Sequence, residues 1–548
     1  MGSDRNRTDA VRAIPIWQIS GFPDGHGFDE SRLAPLGYFF SDAPEVPTGA
    51  DRSSALEALA DAAATSSVNL ARRERVSSVV QCFGRFVIHD ISAIVSRAPA
   101  GANFGGLEGP PLPRDLVTGA LGNLRAGAIG LASIYGGGPQ HGPISQRFGE
   151  LLRCTQDCAK LWVGAQICAK PGHKGEQRDE RANPRTCVCD ALRLGHLLDR
   201  ADPQVSEAEL ESLLSPVRRT FAHLGGSPEP RATITSPASI NQNATLARLH
   251  RGLLRTHNAA VTRAHDLTFE ARARMSEFDW ARRRVTWHFQ WLVLNEYLPA
   301  VCDPNVVSDV LAGEAPLYKG FLDRAGRCSG GTMPIPLEFF VIVSRLRRNF
   351  WADQPVETLD GQQEGLASAD AVAFAESSPQ TLGDAHSTIA SRHLGRRSLL
   401  LEHRLNIPSA QGCLLEMGRM EGMPFPQLSP TQLGLASTGL DVHSGGLYEA
   451  TPLWFYISRE AEVLGCDGRL GPLGSRLLAE TLAGIVIHDP SSYWSSANTT
   501  GLAARWRPDV GLWRGEEAIT SIDELIEAPG DACATGIVRQ YDAGDASN

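Results

Sequence analysis

Apolar residues along this chain recur at three- and four-residue steps far more often than at alternate positions. In NATLARLHRGLLRTHNAAVTRAH (243–265), Leu246, Leu249, Leu253, His257 and Val261 form one continuous stripe, the spacing that lines up side chains on one helix face. RRRVTWHFQWLVLNEYLPAV (282–301) reads as a mostly buried helix stopped near Pro299. PLGSRLLAETLAGIVIHDP (472–490) reads as another, with Pro490 beyond its end. Strand-like alternation is rare and short, so the expectation is a mainly α fold with few short strands. Pro and Gly clusters at 98–113, 225–237 and 327–336 predict surface loops. The acidic, small-residue stretch 353–386 predicts a mobile insertion.

With 548 residues, 42% of them hydrophobic, the chain can bury a large core. A net charge of −10 argues against a nucleic acid or an acidic membrane as partner. No run approaches the roughly 18 apolar residues of a membrane-spanning helix. The opening MGSDRNRTDAVRAIPIW lacks the basic-then-apolar layout of a signal peptide. The expectation is therefore a cytoplasmic protein whose 11 cysteines are mostly reduced.

Five cysteines crowd into residues 154–189. Cys154 and Cys158 stand one helical turn apart, Cys168 and His173 follow, and Cys187 and Cys189 close the cluster. Thiolate and imidazole suit tetrahedral Zn²⁺, and four of these six side chains would complete a structural site. The spacing is that of no standard finger or ribbon. Unpaired thiols, disulfides and an iron–sulfur cluster remain the alternatives.

Six segments carry a resemblance, in order along the chain. They are FGRFVIHD (83–90), ASIYGGGP (132–139), LHRGLLRTHN (249–258), WHFQWLVLNEYLP (287–299), NIPSAQG (406–412), and TPLWFYISREAEVLG (451–465) with RLGPLGSRLLAETLAGIVIHDPSSYW (469–494). Together they resemble the bacterial branch of the animal-type haem peroxidase superfamily. The resemblance implies a helical peroxidase-like domain over 71–510, an N-terminal extension (1–70) and a C-terminal tail (511–548). The cysteine-rich stretch 154–189 and the acidic stretch 353–386 would be insertions.

It also implies a site from which most of the chemistry has been removed. His89 matches the distal histidine, Arg85 takes the place of a glutamine, and Asp90 matches an acid that commonly binds calcium. The remaining calcium-loop positions are Gly130 and Ala132, which have no side-chain oxygen to offer. Ser239 stands where the catalytic arginine would be, and Gln242 replaces an acid. In MPIPLEFFVIVSRLRRN (333–349), Glu338 and Arg345 match, but Arg348 falls on the iron-ligating histidine and Arg347 on the preceding glycine. No histidine occurs between 289 and 385, and a guanidinium has no lone pair to give to iron. Ser398 replaces the asparagine that orients the proximal histidine. Leu401 and His403 replace basic contacts to the haem carboxylates.

The leading expectation is a haem-independent enzyme that binds a small organic molecule in the former haem cavity, in bacterial specialised metabolism. His89, Arg85 and Asp90 would be its catalytic residues, with Arg348, Gln242 and Ser239 lining the substrate site. His89 would serve as general acid or base, and Arg85 or Arg348 would hold an anionic group. Two other readings stand beside it: a haem peroxidase or oxygenase with an atypical axial ligand, and a non-catalytic binding or partner protein. The bland reading of His89 is a core histidine.

Overall fold

A computed structural model describes residues 33–66, 76–92, 94–96, 109–123, 125–135, 153–154, 157–161, 163–168, 187–190, 244–265, 275–325, 332–351, 396, 398–422, 425–435, 443–465, 467–496, 505–508 and 518–527, apart from a few single positions. The described residues are mainly helical. In chain order they give β1 (Leu36–Gly37), α1 (Ala50–Ser66), α2 (Ser78–Ile91), β2 (Ile94–Ser96), α3 (Arg114–Ala120), β3 (Leu121–Asn123) and α4 (Ala132–Tyr135). Next come β4 (Gly164–Cys168), β5 (Cys187–Asp190), α5 (Ala244–His265), α6 (Glu277–Leu292), a π-helical turn (Val293–Tyr297), α7 (Leu298–Val301), α8 (Pro304–Ala312) and α9 (Pro316–Ala325). The chain continues through β6 (Ile335–Pro336), α10 (Leu337–Trp351), α11 (Ala410–Glu421), α12 (Pro430–Leu433), α13 (Leu453–Val463), α14 (Pro472–His488) and α15 (Ile522–Ile526). The strands form three two-stranded ribbons: β1 with β6 in parallel, and β2 with β3 and β4 with β5 antiparallel.

α14 is the hub. It packs against α8, α9, α10, α13 and the π turn, and all of its residues from Leu473 to Ile487 are buried except Arg476. A glycine lets one neighbour come close: a Cβ on Gly484 would collide with the Tyr318 ring of α9. A second layer is the antiparallel pair α5–α6, covered by α2 and α15. Between α2 and the π turn, Phe83, Phe86, Phe289 and Tyr297 form one aromatic cluster.

Glutamates, three of them fully buried, fasten these helices to one another. Pro452 and Gly471 precede α13 and α14 and bring no capping side chain, so the first N–H groups need acceptors from elsewhere. Glu402 accepts from Leu453 and Trp454 at the start of α13. Glu460, on α13, accepts from Leu473 (3.0 Å) and Gly474 (3.1 Å) at the start of α14. Glu480, on α14, accepts from Leu317 and Tyr318 in α9, each at 3.1 Å. Glu296 accepts from Ile522 of α15 at 2.6 Å. A carboxyl oxygen can accept these N–H groups whether or not the acid is ionised, and burial favours the protonated form.

The 282–301 segment is helical to its end: α6 passes through the π turn into α7 and stops at Val301, two residues after Pro299. Pro299 lacks an N–H and crowds the carbonyl one turn back, and the ladder widens to π just before it. Residues within the expected extension and tail pack against the body. Leu36, Phe39, Phe40, Leu56 and Leu59 are buried, and Phe39 packs edge-on against Phe321. From the other end, Ile519 O receives the imidazole of His288 at 2.7 Å, and α15 covers α5 and α2.

Candidate functional site

α2 starts at Ser77, whose side chain accepts the N–H of Val80 at 3.3 Å. Its apolar face, with Cys82, Phe83, Phe86, Val87 and Ile91, is buried. Arg85 and His89 stand four residues apart on a different face, and both are half-buried. Other histidines are spent as core. His257 is fully buried, bound to the Tyr135 hydroxyl and to Ala159 O, each at 3.0 Å. His288 is equally enclosed. Burial holds both of these imidazoles neutral by pulling their pKa down to about 4. Arg85 is desolvated enough that its pKa falls to about 10.

Asp90 points the other way. Its carboxylate is fully buried, and Oδ2 accepts the N–H groups of Gly130 (2.9 Å) and Leu131 (2.8 Å). Leu131 has φ of 55°, a left-handed conformation that a leucine adopts only at a cost. That turn lets successive N–H groups converge on one anion. The loop whose side chains offer no oxygen is thus held to Asp90 through its backbone. Burial raises the Asp90 pKa, and the buried Arg125 guanidinium opposes that rise.

On the opposite side, α10 begins with buried Glu338, which accepts the N–H groups of Phe39 (3.0 Å) and Phe40 (3.3 Å). One turn before Arg348, Ser344 Oγ meets Ser398 Oγ at 3.3 Å. This contact brings Ser398 against α10. α10 also packs directly on α2. Arg348 belongs to α10, but its side chain lies outside the described residues, as do Ser239 and Gln242 entirely. α10 carries no histidine over Leu337–Trp351, and an arginine side chain has no lone pair to give to a metal.

The cysteine cluster is divided. Cys154 is buried and disulfide-bonded, whereas Cys158 is exposed and free. Cys168 and Cys187 are register partners across β4–β5, and Cys189 follows on β5. His173 lies outside the described residues. Among the described residues no three His, Cys, Asp or Glu side chains gather as a metal site. The disulfide takes Cys154 out of the expected zinc-binding set, because a disulfide sulfur has no thiolate to donate. Among the described residues no helix is long and apolar enough to cross a membrane.

One cluster escaped sequence reasoning. Arg52, Glu402 and Ser409 line a small pocket with His403. Arg52 lies some 350 residues from the others in sequence, so no spacing signal connects them.

No protein-family model matches the chain, and no curated protein matches it.

Proposed function

We propose that this chain is a haem-independent enzyme that binds a small organic molecule, with the α2 face of Arg85 and His89 as its polar wall. The observation that carries the reading is the position of His89. It is half-buried, off the apolar face of its helix, while His257 and His288 are locked into the core. An imidazole is the side chain best suited to proton transfer near neutral pH. Arg85, on the same face, supplies positive charge for an anionic group. Asp90 serves this site as a positioning residue, fixing the loop 130–132 against α2.

A second reading, a non-catalytic partner protein, is favoured by the direct packing of α2 on α10, which narrows the room for a substrate between them. Mass spectrometry of small molecules that copurify with the native protein separates the two. The enzyme reading expects a compound retained by the wild type and lost from Arg85→Gln, with folding intact. If nothing bound distinguishes the two proteins across a metabolite extract, the partner reading takes over.

A further inference from the structure

The segment 518–527, which contains α15, is held on the body at three points. A Cβ on Gly252 of α5 would collide with Leu525 O, so the backbone of α15 rests directly on that glycine. His288 of α6 donates Nε2–H to Ile519 O at 2.7 Å. Glu296, in the π turn, accepts the N–H of Ile522 at 2.6 Å. Ile519, Ile522 and Leu525 bury their side chains under the segment. A short segment with little more than one turn of helix is of the kind that opens locally, at less than the free energy of global unfolding.

The Glu296 contact brings like charges together. Glu524 Oε2 accepts the N–H of Ser521 at 3.2 Å, and Glu296 Oε2 accepts that of Ile522, the next residue. Two carboxyl groups therefore sit on successive amides, with Asp523 directly after them in the chain. The charges that act on Glu296 are Asp523 and Glu524, both negative. Neither α2, with Arg85, His89 and Asp90, nor α14, with Arg476, Glu480 and His488, adds one, although both helices pack on the π turn. Burial raises the Glu296 pKa from 4.5 to about 7; the Ile522 N–H opposes the rise and the two acids add to it. Protonated, Glu296 still accepts the Ile522 N–H through an uncharged oxygen. Ionised, it stands half-buried against two other anions.

We propose that 518–527 is a proton-controlled latch, shut on α5 and α2 while Glu296 is protonated and loosened when Glu296 ionises. An opened latch leaves Glu296 in water as an ordinary carboxyl group. Between about pH 4.5 and about 7 the closed state then keeps a proton that the open state has released, so opening becomes easier across that interval and levels off above it. His288 acts in the opposite sense. Burial pulls its pKa down to about 4, and uncovering it lets it take up a proton at acidic pH. The latch rests on the contacts of 518–527 and not on the reading of α2 as a site.

Hydrogen exchange of the 518–527 amides, read by mass spectrometry on the full-length protein, compares the wild type with Glu296→Gln at each pH. The comparison cancels both the intrinsic pH dependence of exchange and the His288 effect. The ratio of opening constants, wild type over variant, should grow more than about tenfold between about pH 5 and about pH 7 and then stay level. Amides of α14 should stay protected in both proteins throughout. Asp523 is exposed, so Asp523→Asn leaves packing untouched, and it should lower latch opening about two- to fivefold at about pH 8. A ratio that does not change with pH, or a segment that exchanges only together with α14, would overturn the inference. Should Glu296→Gln not fold, equal opening in Asp523→Asn and the wild type at about pH 8 would do the same.

Discussion

Asp90 and His89 are sequence neighbours with opposite fates, and the difference gives a clean experiment. Asp90 turns into the core and accepts two backbone N–H groups next to buried Arg125. Replacing it with Ala leaves those donors without their acceptor and removes the negative charge beside a buried cation. The expected loss of stability is about 3 kcal/mol or more in urea unfolding. His89→Gln should cost about 1 kcal/mol or less, since a half-buried polar side chain supports little packing. Equal losses in the two variants would mean that His89 is a core residue after all. The sequence resemblance marked both positions, yet it could not tell which was structural, because burial depends on what packs over α2 and not on the two residues themselves. The roles of Glu402, Glu460 and Glu480 were illegible for the same reason. Each reads as an ordinary helix-surface acid until the helix it caps is in place.

The helices themselves were legible. The segments 243–265 and 472–490 became α5 and α14 with nearly the expected bounds, the first from its one apolar stripe and the second from a long apolar run started at Pro472 and followed by Pro490. The close packing of Tyr297, in the π turn, on Gly84 of α2, where a Cβ would collide with the tyrosine ring, was not legible, because it joins residues more than 200 positions apart. The β4–β5 ribbon is the element where sequence and structure part most clearly. Zinc held by four of Cys158, Cys168, His173, Cys187 and Cys189 remains a proposal, but Cys154 enters a disulfide. Peptide mapping after alkylation without reductant should find Cys158 modified in the native protein and Cys154 protected even after denaturation. Alkylation of Cys154 under those conditions, with one zinc released per chain, would restore the metal reading in full.

Across the whole molecule, the buried carboxylates set the response to pH. Burial raises Glu338 from 4.5 to about 6, Glu296, Glu460 and Glu480 to about 7, and Glu402 to about 8. Through that range the folded protein retains protons that the unfolded chain has released. Their stabilising effect is therefore present at the acidic end and is lost as pH rises through the folded values. His257, His288 and His403 act with the opposite sign, but between about 4 and their usual 6.5. From about pH 6.5 to about 8.5 the carboxylates dominate, and Tm by calorimetry should fall steadily across that interval. A Tm that rises there would mean these acids are ionised in the folded protein. The proposed independence from haem is the central claim, supported by the absence of histidine from α10 and by Arg348 at the position where the sequence resemblance expects the iron ligand. An absorbance spectrum of the protein produced with added haem precursor and titrated with haemin tests it most directly. The account predicts no stoichiometric Soret band, whereas an intense Soret band at one haem per chain would contradict it.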